Sequence, residues 1–224
     1  MISPSRFIPI AEESGIIATL GADIMERACA QAARWQGLAP YPIQVAVNVS
    51  SLQFERNDFV AEVIAILDRT GLPPALLQIE LTESVMLRAA DHAAATMQTL
   101  RDLGVSFAID DFGTGYSRLS YLAQLPFDAL KIDRSFLPGL ESRSQVKALV
   151  HSLISMAHSL GMRVIVEGIE KPEQVNMVRA MGAHDVQGFL LGRPLADPAA
   201  QIPRLIRQDK DAELCVVARD RKLR

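Results

Sequence analysis

Short apolar runs alternate with amphipathic stretches six times along this chain, and that alternation limits the fold more than any other feature. The apolar runs are Ile43–Val49, Leu77–Leu81, Val105–Asp110, Ala129–Ile132, Met162–Val166 and Asp185–Phe189. Helical periodicity marks Leu20–Gln36, Asp58–Thr70, Ala89–Leu103, Arg118–Leu125, Ser144–Leu160, Pro172–Met181 and Pro198–Arg207. Gly37, Gly71, Gly104 and Gly161 supply helix stops, and Pro172 suits a first helical turn. Ser3–Glu13 reads as a loop and a short helix closed by Gly15. Strands and helices in this alternation form a parallel sheet with helices outside it.

Each apolar run ends in or beside a polar residue: Asn48, Glu80, Asp110, Lys131, Glu167 and Gln187. In an open doubly wound sheet only the strands at the switch point feed a site. In a (β/α)₈ barrel every strand end meets one rim, which favours the barrel. A barrel takes eight strands and about 250 residues. The expected fold is therefore α/β, a TIM-type barrel truncated by about two strands at the front.

The stretch Val105–Tyr116, VSFAIDDFGTGY, carries the sharpest chemical signal. An apolar strand ends in Asp110 and Asp111, and the turn Gly113-Thr114-Gly115 follows at once. Neighbouring side chains on an extended strand point to opposite sides, so one carboxylate faces inward and one leans over the rim. That arrangement suits one shared cation or a pair. Without a cation the two repel, and one tends to keep its proton. The plainer alternative is that Asp111 caps the next helix or shapes the turn.

Composition narrows the partners. A net charge of −3 over 224 residues implies no broad basic face for a nucleic acid polymer. No apolar run approaches the ~20 residues that cross a bilayer. The start, MISPSRFIPI, lacks the basic head and apolar core of a signal peptide. Cys29 and Cys215 form no C-x-x-C pair and read as reduced thiols of a cytoplasmic protein. The expected layout is one domain over 1–207 and a charged tail over 208–224.

Six motifs occur in order: NVS at Asn48, ELTES at Glu80–Ser84, DDFGTGYS at Asp110–Ser117, KIDRSF at Lys131–Phe136, EGIE at Glu167–Glu170, and QGF with GRPL over Gln187–Leu195. In these the chain resembles the EAL-domain family of cyclic-di-GMP phosphodiesterases, from Ile2 to about Leu195. The resemblance implies a modified (β/α)₈ barrel that cuts bacterial cyclic di-GMP to linear pGpG with two Mg²⁺ or Mn²⁺ ions. It implies that Asn48, Glu80 and Asp110 ligate a first ion, with Asp111 and Glu167 beside a second bridged by Asp110. It implies that Lys131 and Asp133 hold the attacking water, Glu170 anchors the DDFGTG loop, and Gln187 lines the substrate pocket. Arg193 is a candidate for a substrate phosphate, or for a surface salt bridge. A homodimer and an upstream sensory or GGDEF-type domain are further expectations from the family.

Elementary chemistry agrees with that donor set. Hard divalent ions prefer oxygen, and this rim offers carboxylates and an amide rather than thiols or imidazoles. Lys131 suits the neutralisation of negative charge, and Glu167 suits acceptance of a proton. The Glu-Ala-Leu motif that names the family is not in this sequence, which reads as a fragment of a longer protein. Two competing functions follow: a non-catalytic binding or scaffold module of the same fold, and an enolase-type barrel with Lys131 as base. His92, His151, His158 and His184 show no ligand spacing, and Trp35 and Met25 read as core. Glu12-Glu13 reads as a solvated helix end, and Glu83 as a helix N-terminal charge in preference to a group supporting the metal ligands.

Overall fold

The computed structural model describes residues 3–83, 90–113, 122–195 and 202. The expected turn at Thr114–Tyr116, the start of the Arg118–Leu125 helix, most of the Pro198–Arg207 helix and the tail lie outside them. Six strands occur among the described residues: β1 (Val45–Val49), β2 (Leu77–Thr82), β3 (Ser106–Phe112), β4 (Ala129–Ile132), β5 (Arg163–Val166) and β6 (Asp185–Val186). They stand in the sheet in chain order, β1-β2-β3-β4-β5-β6. The pairs β3–β4, β4–β5 and β5–β6 are parallel. Chain order with parallel pairing is what helix-connected strands give.

The residues group into two compact units. The first takes in Met1–Glu80, Asp91–Ser106 and Pro194–Arg224, and the second Leu81–Ala90 and Phe107–Arg193.

In the first unit, α1 (Pro4–Glu13) leads into α2 (Ile17–Trp35). The buried residues of α2 are Ile17, Gly21, Met25, Cys29, Ala32 and Trp35, steps of three and four that make one inward stripe. This stripe packs on β1, on α3 (Ser51–Phe54) and on α4 (Phe59–Thr70). Gln36 closes the link from α2 to β1: its side-chain amide donates to Ile43 O at 2.9 Å and accepts from Ile43 N at 3.1 Å. The pairing satisfies both backbone polar groups of Ile43, as a strand ladder would. Trp35, Ile43 and Ile202 form a buried cluster beneath it. The unit also holds α5 (Ala90–Asp102) from Asp91 onward.

In the second unit, α6 (Ser144–Ser159) packs on β4 and β5. Ala108, Ala129 and Ile165 make a small apolar core between the strands. Asp128 fastens the start of β4 to β3, exchanging bonds of 2.8 Å with Phe107 through its backbone N–H and its carboxylate. Pro172 opens α7 (Pro172–Ala180), whose first turn is closed by the Gln174 amide on the backbone N–H groups of Glu170 and Lys171. β6 is shorter than its apolar run suggested and ends at Val186. Beyond it, Gly188 lies so close to the backbone of Ile169 that any side chain would collide, and Leu190 N–H bonds Ile169 O at 3.1 Å.

Candidate functional site

The second unit brings the tips of β3, β4 and β5 together, and with them four ionisable side chains. Carboxylate oxygens of Asp110, Asp111 and Glu167 all lie within 4.8 Å of one another. Lys131, 3% exposed, stands among them. Its Nζ lies 3.0 Å from Asp110 Oδ1 and 2.7 Å from Glu167 Oε1.

The strand geometry differs from the simple alternation expected of the sequence. β3 and β4 are in register at Ile109↔Leu130 and again at Phe112↔Ile132. Between these pairs β3 has two residues, Asp110 and Asp111, where β4 has only Lys131. This is a β-bulge, a device that re-aims side chains beside sites. Asp111 takes φ 53°, the one left-handed conformation among the described residues other than glycine. The Asp111 N–H donates to Asp110 Oδ1 at 3.0 Å within the bulge. The bulge ends the opposite-sided divergence that a regular strand imposes on its neighbours.

Electrostatics fit a cation. Three carboxyl groups face one ammonium, which offsets only part of their charge. Partial burial, and then the charges of Asp110, Asp133 and Glu167, push the Asp111 carboxyl above its usual range. Burial also pushes Asp133 upward, but hydrogen bonds from the Ser135 hydroxyl and backbone outweigh it, so Asp133 sits below its usual range. Its Oδ1 accepts from Ser135 N at 2.8 Å, capping the 3₁₀ turn Arg134–Phe136. An all-oxygen, anionic donor set suits a hard divalent ion. Asp110, Asp111 and Glu167 would hold it.

The other candidates fall as follows. Asn48 is exposed near the end of β1, and Glu80 is 2% exposed on β2, both in the first unit. Gln187 follows β6, its N–H on Val166 O at 2.8 Å, which sets it beside the end of β5. Glu170 is exposed. Arg193 places its guanidinium carbon 4.6 Å from the centre of the Phe189 ring. His158 and His184 stack edge to face at 5.0 Å, with His184 Nδ1 accepting from Val164 N, a structural pairing.

Glu83 is the residue that sequence reasoning undervalued. Its Oε1 accepts from Gly113 N at 2.6 Å, a direct hold on the turn after Asp110-Asp111. Only its place three residues after Glu80, before a stretch read as helix, was visible in the sequence, and a charged residue there has the look of a helix cap.

Parallel strands whose C-terminal tips gather acid around a buried lysine define a β/α protein with a candidate metal-dependent site. The chain belongs to the EAL domain family, whose profile matches residues 1–194. It is 39% identical over 202 residues to the bifunctional diguanylate cyclase/cyclic di-GMP phosphodiesterase MucR of Pseudomonas aeruginosa, covering 90% of this chain and 29% of MucR. It is 37% identical over 207 residues to the cyclic di-GMP phosphodiesterase NbdA of the same organism, covering 92% of this chain and 26% of NbdA. The solved PaMucR phosphodiesterase in complex with c-di-GMP matches with a TM-score of 0.81 at 39% identity, covering 87% of this chain and 78% of that one. The chain thus spans between a quarter and a third of the curated relatives MucR and NbdA. The expected α/β architecture of the TIM-type family holds.

Proposed function

We propose that this protein hydrolyses cyclic di-GMP to linear pGpG. The observation that carries the reading is the cluster of Asp110, Asp111 and Glu167 around the buried Lys131. When bound, two Mg²⁺ or Mn²⁺ ions would supply water activation and neutralisation of charge growing on the phosphate. Asp110, Asp111 and Glu167 would hold the ions, and Asn48 and Glu80 would supply the further oxygen ligands. Lys131, pinned by its carboxylate neighbours, stabilises the charge that builds at phosphorus and orients the water with Asp133. Glu167 accepts the water proton. Gln187 and Arg193 contact the nucleotide, and Glu170 supports the DDFGTG loop.

The relatives support the substrate, since MucR and NbdA are named for cyclic di-GMP and PaMucR was solved with it. We read residues 1–207 as the family domain and 208–224 as a tail. The setting we infer is the bacterial cytoplasm, in a homodimer, with a sensory or GGDEF-type domain upstream in the longer protein. No helix among the described residues is long and apolar enough to cross a membrane.

Chromatography of cyclic di-GMP incubated with the protein and Mn²⁺ tests this reading, with Asp110→Asn alongside. Mn²⁺-dependent pGpG that disappears in the variant supports hydrolysis. Retained binding of cyclic di-GMP without product contradicts it and favours a non-catalytic binding module.

A further inference from the structure

We propose that Phe136 is a positioning residue for the cation site: its ring props Gly113 and so holds the bulge that gathers Asp110 and Asp111. The inference rests on reading this rim as a divalent-metal site. Phe136 ends the 3₁₀ turn that leaves β4, and its N–H bonds Asp133 O at 3.1 Å. Asp133 caps the same turn. The ring reaches across to Gly113, where an added Cβ would fall 2.6 Å from Phe136 Cζ and 3.2 Å from Cε2. Real side chains do not approach so closely, so the ring and the glycine are fitted to each other.

Gly113 is thereby gripped from two directions. The Glu83 carboxylate takes its N–H, and the Phe136 ring occupies the space a side chain would use. Its φ of 90° is one that glycine alone adopts without strain. Two residues earlier, Asp111 is held at φ 53° in a conformation disfavoured for any side chain. Strained residues of this kind persist only where their surroundings over-determine them. β3 returns to register at Phe112↔Ile132, between the bulge and the gripped glycine. Phe112 is 1% exposed and fixes the strand from the core side. Phe136 supplies the remaining constraint from the rim side. Without the ring, Gly113 gains the freedom of an unsupported glycine, the bulge relaxes, and the carboxylates separate.

The test is Mn²⁺ binding to the protein alone, followed by calorimetry with no nucleotide present. Outer supports of a metal site are worth about 10–100-fold in metal affinity. Phe136→Ala is expected to weaken Mn²⁺ binding about tenfold, while Phe136→Leu, which keeps most of the bulk, stays near the parent. Gly113→Ala is expected to weaken binding in the parent, by straining a φ of 90° and by forcing a methyl against the ring. In the Gly113→Ala background, Phe136→Ala is expected to strengthen binding, a reversal of sign that general loosening of the fold would not produce. Circular dichroism checks that each variant is folded, and Phe136→Val replaces Phe136→Ala if that variant unfolds. Parental affinity in Phe136→Ala, with binding lost in Asp110→Asn, overturns the role of Phe136 and leaves the metal site standing. Absence of Mn²⁺ binding by the parent overturns the site and this inference with it.

Discussion

The ammonium of Lys131 lies 2.7 Å from the Glu167 carboxylate, joining the tips of two adjacent parallel strands at the point where Asp110 and Asp111 also converge. A lysine that is 3% exposed stays in such a place only if its charge is matched. Removing it strands the carboxylates. Lys131→Met is expected to destabilise the metal-free protein by about 3–5 kcal/mol, the usual result of breaking a buried pair. Added Mn²⁺ is expected to restore part of that loss, because a cation then stands where the ammonium stood. Thermal melting with and without Mn²⁺ checks both. Turnover is expected to fall by a factor of about 10²–10³ at saturating metal, as for loss of one transition-state charge partner.

Asp111 gives a pH signature. Its carboxyl is held above the usual range by burial and by Asp110, Asp133 and Glu167. For a group raised on folding, stability is fully present below the unfolded value and is lost as pH rises through the folded value. Metal-free protein is therefore expected to lose stability as pH climbs past the ordinary Asp range, and Asp111→Asn to melt higher at neutral pH in chelator. Asparagine also suits φ 53° better than most residues. The same substitution is expected to weaken Mn²⁺ binding. In the parent, Mn²⁺ binding is expected to weaken as pH falls, because a proton competes for Asp111. Melting curves and Mn²⁺ titrations across pH read the two trends.

Cys29 is expected to be inert. It is 0% exposed on the inner stripe of α2, and burial, followed by the charge of Glu26, pushes its thiol up to about 12. Thiolate is the reactive form, so iodoacetamide at pH 8 should leave the Cys29 peptide unmodified in folded protein and label it in urea. Mass spectrometry of the digest reads this. The raised value also predicts a stability loss that begins near the ordinary thiol range and is complete only above about 12.

Gly21 offers a sign test in the first unit. A helix-interior glycine is ordinarily about 0.5–1 kcal/mol worse than alanine, so Gly21→Ala would normally stabilise α2. Here an added methyl meets the buried side-chain amide of Gln53. Gly21→Ala is expected to lower the melting temperature, and a second change, Gln53→Ala, to recover part of the loss. Urea denaturation of both variants decides which effect wins.

Much of the architecture was legible because the strands are short, apolar and punctuated. β4 spans Ala129–Ile132 as its sequence suggested, since Asp128 and Asp133 bracket four buried positions, three of them apolar. The helices from Asp58 and Ser144 likewise fall within one residue of expectation, set by Gly71 and Gly161. β3 was misjudged at its far end. It runs through Phe112 because a bulge absorbs one aspartate, and a bulge depends on pairing with a strand some twenty residues away. The gathering of Asp110, Asp111 and Glu167 was suggested by strand-end position, while the bulge that achieves it was not. Glu83 was read as a helix-end charge, and Phe136 was given no role, for the same reason: each acts on Gly113 across space, and local periodicity carries no trace of that.

The measurement that bears most directly on the central claim is mass spectrometry of the product formed from cyclic di-GMP in heavy-oxygen water with Mn²⁺. The account predicts pGpG carrying one heavy oxygen in its terminal phosphate, formed only with the metal and absent with Asp110→Asn. Unchanged cyclic di-GMP in the presence of Mn²⁺, from protein that binds both, would contradict hydrolysis by this rim.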